Sequence, residues 1–143
     1  MAVLLRNWQD PETGRKKFIA SVLLYHLSKK VNRNRFEVVQ EGYLDLADLN
    51  SEQPDIIIYD KEKGYHPVLL IEMVHSGEWE KMAGNISILK QMYQIEETFL
   101  YNLDLCNWSA IDTAAVHSGF DYSRTFNLYL DRVLNEGLNN YRK

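Results

Sequence analysis

The sequence predicts an α/β fold, in which a central mixed β-sheet is flanked by helices. Residues 54–60 and 67–74 are rich in β-branched side chains and are apolar on both faces, which is typical of strands in the middle of a covered sheet. The segments before and after this pair carry apolar residues at helical spacing. Strands and helices in this order pack as a sheet between helical layers.

Length and composition place the chain among ordered domains. We expect its 143 residues to form a single domain over residues 1–143, and 45% hydrophobic content excludes a disordered chain. Cys106 is the one cysteine, which excludes an internal disulfide and favours a reducing, cytoplasmic environment. The N-terminal apolar run is too short for a signal peptide. No run approaches the about 18 apolar residues of a membrane span, so no membrane partner is expected.

Charge is distributed unevenly along the chain. Residues 1–35 carry eight basic and two acidic side chains, whereas the remainder carries eight basic and eighteen acidic ones. A basic segment in a chain of net charge −4 indicates a surface that faces a polyanion such as DNA. The same lysines and arginines fit the solvated face of an ordinary surface helix equally well.

Capping residues and apolar spacing define the elements around the two central strands. Asp10 and Pro11 predict the start of a helix that continues to about Lys30. Residues 36–39 predict a short strand, and 43–46 a second extended segment. Ser76 predicts the cap of a helix that runs to about Glu97. A strand over residues 98–103, a weaker one over 108–116 and a last helix over 124–138 complete the order.

Two carboxylates stand at matching positions of the two central strands. In a symmetric antiparallel hairpin, the midpoint of positions 55 and 72 falls between Lys63 and Gly64, inside the predicted turn. Asp55 and Glu72 are therefore expected to oppose each other on one face, with Cβ atoms about 5 Å apart. The expectation depends on a hairpin without a bulge.

Two ionised carboxylates at this separation need compensation. Their repulsion is about 3 kcal/mol at 5 Å and an effective dielectric near 20. A shared proton, a neighbouring lysine or arginine, or a divalent cation would relieve it. Oxygen ligands of this kind suit Mg²⁺ or Mn²⁺, and the carbonyl of Met73 could add a neutral ligand. Read separately, Asp55 and Glu72 are ordinary strand-start and strand-end residues, whereas their matched register in apolar strands favours a functional site.

The same residues carry a family resemblance. Pro54-Asp55, a gap of sixteen residues and then Glu72-Met73-Val74 resemble the PD-(D/E)XK signature, and in particular the bacterial restriction endonuclease-like proteins. The resemblance covers residues 54–103 with recognisable residues and about 13–135 as an arrangement of elements. It implies a restriction endonuclease-like fold and a metal-dependent endonuclease that hydrolyses DNA phosphodiester bonds. Asp55, Glu72 and the Met73 carbonyl would hold Mg²⁺ or Mn²⁺, which lowers the pKa of a bound water.

The chain departs from the signature at the lysine. The position two residues after Glu72 is Val74, which cannot position or activate a water. In this family the lysine is often displaced onto the following helix, which makes Lys81 and Lys90 the candidate catalytic lysines, with Lys81 favoured. For an upstream auxiliary acid, Glu41 is the first candidate and Glu37 the second.

Three functions follow as hypotheses. The first is the endonuclease, for which a homodimer is expected because cutting both strands of a duplex requires two sites. The second is a catalytically degenerate copy that serves as a nucleic-acid-binding or dimerisation module, which Val74 favours. The third is a metal-dependent hydrolase of another substrate, which the net acidic charge favours. His75 directly follows the second strand. It could be a metal ligand, a general base or an ordinary surface residue.

Overall fold

A computed structural model describes residues 11–141, which form a mixed β-sheet with helices on both faces. The helices of this part of the chain are α1 (Pro11–Lys30), α2 (Trp79–Tyr93) and α3 (Leu130–Tyr141). None of them is long and apolar enough to cross a membrane. The strands are β1 (Phe36–Gln40), β2 (Ile56–Asp60), β3 (His66–Val74), β4 (Glu97–Asn102), β5 (Asn107–Ile111), β6 (Val116–Ser118), β7 (Tyr122–Ser123) and β8 (Leu128–Tyr129).

Within residues 11–141, strands β1 to β6 lie side by side in chain order in one sheet. Neighbouring strands are antiparallel except β3 and β4, which are parallel. Parallel neighbours need a crossover connection, and α2 is that connection here. The sequence prediction of an α/β architecture with a mixed sheet and flanking helices is confirmed.

The two central strands contribute to a hydrophobic core on each face of the sheet. Side chains of a strand alternate between faces, so Ile56 and Ile71 pack with α1 and α3 on one side. Ile57 and Leu70 pack with α2 on the other side. These four isoleucine and leucine side chains are fully buried, as their unbroken apolar sequence predicts.

Several element boundaries differ from the sequence prediction. Helix α1 ends at Lys30 as predicted, whereas its predicted cap Asp10 lies outside the described residues. The extended segment expected over residues 43–46 is irregular. Helix α2 ends at Tyr93 and not at Glu97, because Gln94 turns into a left-handed conformation with φ of 52°. Glu97 instead begins β4.

The last helix begins at Leu130, six residues later than predicted. The carboxylate of Glu97 explains the difference, since it accepts hydrogen bonds from Ser123 Oγ at 2.7 Å and from the main-chain N of Arg124 at 2.9 Å. It also accepts one from the main-chain N of Thr125 at 3.1 Å. This clamp holds residues 122–129 as the β7–β8 hairpin.

A close approach between α1 and α3 gives a stability prediction. A Cβ atom at Gly137 would lie 2.5 Å from Val22 Cγ1 and 2.6 Å from His26 Cδ2. Overpacking destabilises a protein by about 1–3 kcal/mol. The better helix propensity of alanine offsets about 1 kcal/mol of this destabilisation. We therefore expect Gly137→Ala to lower the free energy of unfolding by up to about 2 kcal/mol in urea titrations.

The matched control is Gly84→Ala on α2, where an added Cβ meets nothing within 4 Å. This substitution is expected to raise the free energy of unfolding by about 1 kcal/mol. Equal stabilisation by both substitutions would contradict the contact between the two helices.

Candidate functional site

The two carboxylates predicted from the sequence lie together at one end of the β2–β3 pair. Ile56 opposes Ile71 in the ladder, and the same register carried one residue further places Asp55 opposite Glu72. The main-chain N of Asp55 donates to Glu72 Oε1 at 3.0 Å. The main-chain N of Met73 donates to Asp55 Oδ2 at 2.8 Å. Each carboxylate thus satisfies an amide of the opposing strand.

The hairpin reaches this register by an irregular route. Near the turn Asp60 pairs with His66 and Tyr59 pairs with Pro67, one residue away from the symmetric arrangement. A register shift between Ile58 and Tyr59 then passes over Val68 and restores the predicted pairing. The bulge and the asymmetric turn therefore cancel, which is why the simple midpoint calculation gave the observed neighbours.

Lys16 on α1 completes the cluster, and sequence reasoning did not select it. Its Nζ lies 3.3 Å from Asp55 Oδ1, with the lysine side chain 36% exposed and the aspartate side chain 11% exposed. Two signals were present in the sequence, namely the basic excess of the first 35 residues and the need of the carboxylates for a countercharge. Neither signal singles out this lysine, because its position depends on how α1 packs against the sheet.

Burial and mutual repulsion raise the proton affinity of the pair. Burial is the largest cause that raises the pKa of Asp55, and the Lys16 ammonium opposes it. Burial, followed by the charge of Asp55, raises the pKa of Glu72 to about 8. The pair therefore titrates as a unit in which one proton is retained near neutral pH. Of the three predicted forms of compensation, the lysine is in contact with the pair, and the raised pKa of Glu72 favours a retained proton as well.

A small cavity opens beside Asp55. Its volume is about 220 Å³, and its lining is made by Lys16, Lys17, Ala20, Gln40, Glu41 and Asp55. The charge of Glu41 is among the causes that raise the pKa of Asp55, so the first candidate for an auxiliary acid lies close to the pair. The second candidate, Glu37, instead contacts Lys61 at 3.7 Å.

Glu41 occupies a strained main-chain conformation. Its φ is 55°, in the left-handed region that non-glycine residues rarely adopt. The conformation is held from both sides, since the main-chain N of Glu41 donates to the Asp55 carbonyl at 3.1 Å and its carbonyl accepts from Gln53 Nε2 at 2.9 Å. Strain of this kind is often found at functional sites.

Removing the strain gives a second stability prediction. Glu41→Gly is expected to raise the free energy of unfolding by about 1 kcal/mol, because glycine adopts this conformation without a Cβ penalty. Glu37→Gly, in strand β1, is the control and is expected to lower it by about 1 kcal/mol. Chemical denaturation of the two variants measures both effects, and destabilisation by Glu41→Gly would mean that the glutamate side chain itself holds the turn.

The structure does not bring Lys90 to the carboxylates. Lys90 Nζ donates to the carbonyls of Ile95 at 3.0 Å and Glu96 at 2.6 Å, at the end of α2. Lys81 is exposed and lines a surface depression formed by its own segment. In the described part of the chain, the lysine that contacts this pair of carboxylates is Lys16, through Asp55. The lysine that contacts the carboxylate pair thus comes from α1 and not from α2.

Met73 follows Glu72 in β3, and His75 comes directly after this strand ends at Val74. The main-chain N–H and C=O of a strand residue point to the same side of the strand. The N–H of Met73 points at Asp55, so the Met73 carbonyl also points to the side of β3 on which Asp55 lies. A neutral metal ligand at this site would need that orientation. His75 Nδ1 lies 2.7 Å from Asp104 Oδ1. Hydrogen bonding to His75, the largest cause, lowers the pKa of Asp104.

The donor set fits one class of metal ion. Within residues 11–141, no three His, Cys, Asp or Glu side chains form a group that could hold a metal, so a zinc-type cage is not built from them. Mg²⁺ is commonly held by one or two carboxylates, with water and substrate phosphate oxygens as the other ligands. Asp55, Glu72 and the Met73 carbonyl match that pattern. The repulsion within the pair is also the kind that a divalent cation relieves.

The fold and the site together define an α/β protein with a mixed sheet, in which a lysine-paired carboxylate pair lies at one end of an antiparallel strand pair. No protein-family model matches the chain, and no curated protein matches its sequence. The geometry of the site is therefore the guide to its function.

Proposed function

We propose that the chain is a Mg²⁺- or Mn²⁺-dependent endonuclease of the PD-(D/E)XK type that hydrolyses phosphodiester bonds in DNA. The observation that carries the proposal is the cluster of Asp55, Glu72 and Lys16. The two carboxylates oppose each other across β2 and β3, and the ammonium lies 3.3 Å from one of them. Carboxylates and a lysine at such distances are the parts that the PD-(D/E)XK resemblance requires.

Each residue has a distinct role in the proposal. Asp55, Glu72 and the Met73 carbonyl would hold the cation, which would lower the pKa of a bound water and polarise the scissile phosphate. Lys16 supplies the positive charge that Val74 cannot supply, and it would orient the attacking water or the phosphate. Glu41, on the cavity beside Asp55, would accept a hydrogen bond from that water.

The basic residues of α1 support a nucleic acid as the substrate. Lys16 and Lys17 line the cavity, and Lys29 and Lys30 lie in the last turn of the same helix. Contacts between lysines and phosphates release counterions, so binding should weaken steeply with salt. A homodimer remains our expectation, because cutting both strands of a duplex requires two sites.

A second candidate function is a catalytically degenerate module that binds nucleic acid or dimerises. The observation in its favour is that the site is satisfied without a metal. Each carboxylate accepts a main-chain N–H from the opposing strand, and Lys16 compensates the charge of Asp55. A structural role in closing the end of the β2–β3 ladder would account for these contacts.

Incubation of the purified full chain with supercoiled plasmid tests the proposal. We expect nicking in Mn²⁺ and in Mg²⁺ that EDTA abolishes. Salt-sensitive DNA binding without cleavage in either metal would favour the degenerate module. Neither cleavage nor binding would overturn the endonuclease and the nucleic-acid-binding module alike.

A further inference from the structure

Lys16 occupies the side of Asp55 on which a metal ion would bind. We propose that Lys16 is a displaceable counter-ion, which neutralises Asp55 in the metal-free protein and leaves Asp55 Oδ1 when a divalent cation binds. The inference deepens the proposed function and rests on its metal site. It makes cation binding a competition between the metal and a side chain of the protein itself.

The contacts of Asp55 leave one oxygen for either cation. Oδ2 is committed to the main-chain N of Met73 at 2.8 Å, whereas Oδ1 carries the Lys16 ammonium at 3.3 Å. Within the described part of the chain, Glu72 uses Oε1 to accept from Asp55 N, and its other oxygen accepts no hydrogen bond. A cation shared by the two side chains would therefore bind Asp55 Oδ1, where the lysine now lies.

Lysine and a divalent cation would not share this oxygen without cost. A single and a double positive charge about 5 Å apart repel even at the dielectric of water, by an amount equal to about a tenfold change in affinity. The repulsion is larger where burial lowers the dielectric. In the lower-energy arrangement the carboxylates would hold the metal and the ammonium would lie elsewhere.

The cavity beside Asp55 provides the other position for the ammonium. The side chain of Lys16 is 36% exposed, and its ammonium is carried on a flexible four-carbon stem. It shares the cavity of about 220 Å³ with Lys17, Gln40 and Glu41. The carboxylate of Glu41 would offer Lys16 a second anionic partner on this cavity, so the ammonium would exchange one acid for another.

Calorimetric titration of Mn²⁺ into the full chain tests the inference without reference to activity. Lys16→Met keeps the side-chain length and removes the charge, and Lys17→Met is the control from the same cavity. The titration is run at pH 9, where protons compete less for the carboxylates than at neutral pH. We expect Lys16→Met to bind Mn²⁺ at least about tenfold more tightly than the wild type, and Lys17→Met within about threefold of it.

Equal or weaker Mn²⁺ binding by Lys16→Met than by the wild type would overturn the counter-ion and leave the proposed metal site standing. No binding by any of the three proteins would overturn both. A second measurement follows Lys16 directly, by mass spectrometry of acetylation with acetic anhydride. We expect Mg²⁺ to increase the labelling of Lys16 relative to Lys17, and unchanged relative labelling would also overturn the inference.

Discussion

Asp55→Asn is expected to reduce metal-dependent plasmid cleavage by about 10³-fold, because a metal ligand contributes several kcal/mol of transition-state stabilisation. Asparagine keeps an oxygen that can accept from the main-chain N of Met73, the contact that Asp55 Oδ2 makes at 2.8 Å. It loses the negative charge that both the metal and Lys16 require. The expected result is a folded protein with almost no nicking activity, measured by initial rates on supercoiled plasmid in Mn²⁺.

The matched control is Asp112→Asn. Asp112 is exposed and accepts a hydrogen bond from the main-chain N of Thr113, so its replacement should leave the rate within about twofold, as for a typical surface change. Circular dichroism of both variants shows whether the fold is retained. Wild-type cleavage rates in a folded Asp55→Asn protein would exclude this residue as a metal ligand.

The second large effect is a fall in stability with rising pH that depends on Glu72. Burial and the charge of Asp55 raise the pKa of Glu72 from 4.5 to about 8 in the folded state. Between these values the folded state binds a proton that the unfolded state has released, so the free energy of unfolding decreases as pH rises from about 4.5 to about 8.

Glu72→Gln removes this titration and keeps an amide oxygen for the main-chain N of Asp55, now 3.0 Å from Glu72 Oε1. Above pH 8 we expect the variant to be about 2–4 kcal/mol more stable than the wild type, and near pH 4 about equally stable. Denaturant titrations at several pH values measure the difference. A divalent cation should stabilise the wild type above pH 8 and leave Glu72→Gln unaffected, because only a ligand that binds the folded state shifts its stability.

Glu136→Gln is the control for this series. Glu136 is an exposed residue of α3 that contacts Lys30 at 3.2 Å, and the loss of a surface ion pair costs less than about 1 kcal/mol. Parallel pH profiles of the wild type and Glu72→Gln would show that the carboxyl of Glu72 is not perturbed.

The local sequence pattern predicted the β2–β3 strand pair and the two carboxylates of the site. The apolar strands 56–60 and 66–74 have no polar face, so their place in a covered sheet follows from composition alone. The opposition of Asp55 and Glu72 also follows from short-range geometry, since eleven residues or fewer separate the paired positions near the turn. Even so, the prediction succeeded because a bulge and an asymmetric turn compensated for each other.

The features that the sequence did not predict depend on contacts between residues far apart in the chain. Lys16 and Asp55 are thirty-nine residues apart, and their approach at 3.3 Å depends on the packing of α1, which no local spacing encodes. The start of α3 was missed for the same reason, because Glu97 binds Ser123 from a distant strand.

Mn²⁺ binding by the wild type and by an Asp55→Asn, Glu72→Gln double variant tests the central claim most directly. Both substitutions keep the size and the hydrogen-bond acceptors of the site, so the double variant should fold. We expect one calorimetric Mn²⁺ site per wild-type chain at pH 9 and none in the double variant. Absence of binding by the wild type, or equal binding by the double variant, would contradict a metal site at this pair of carboxylates.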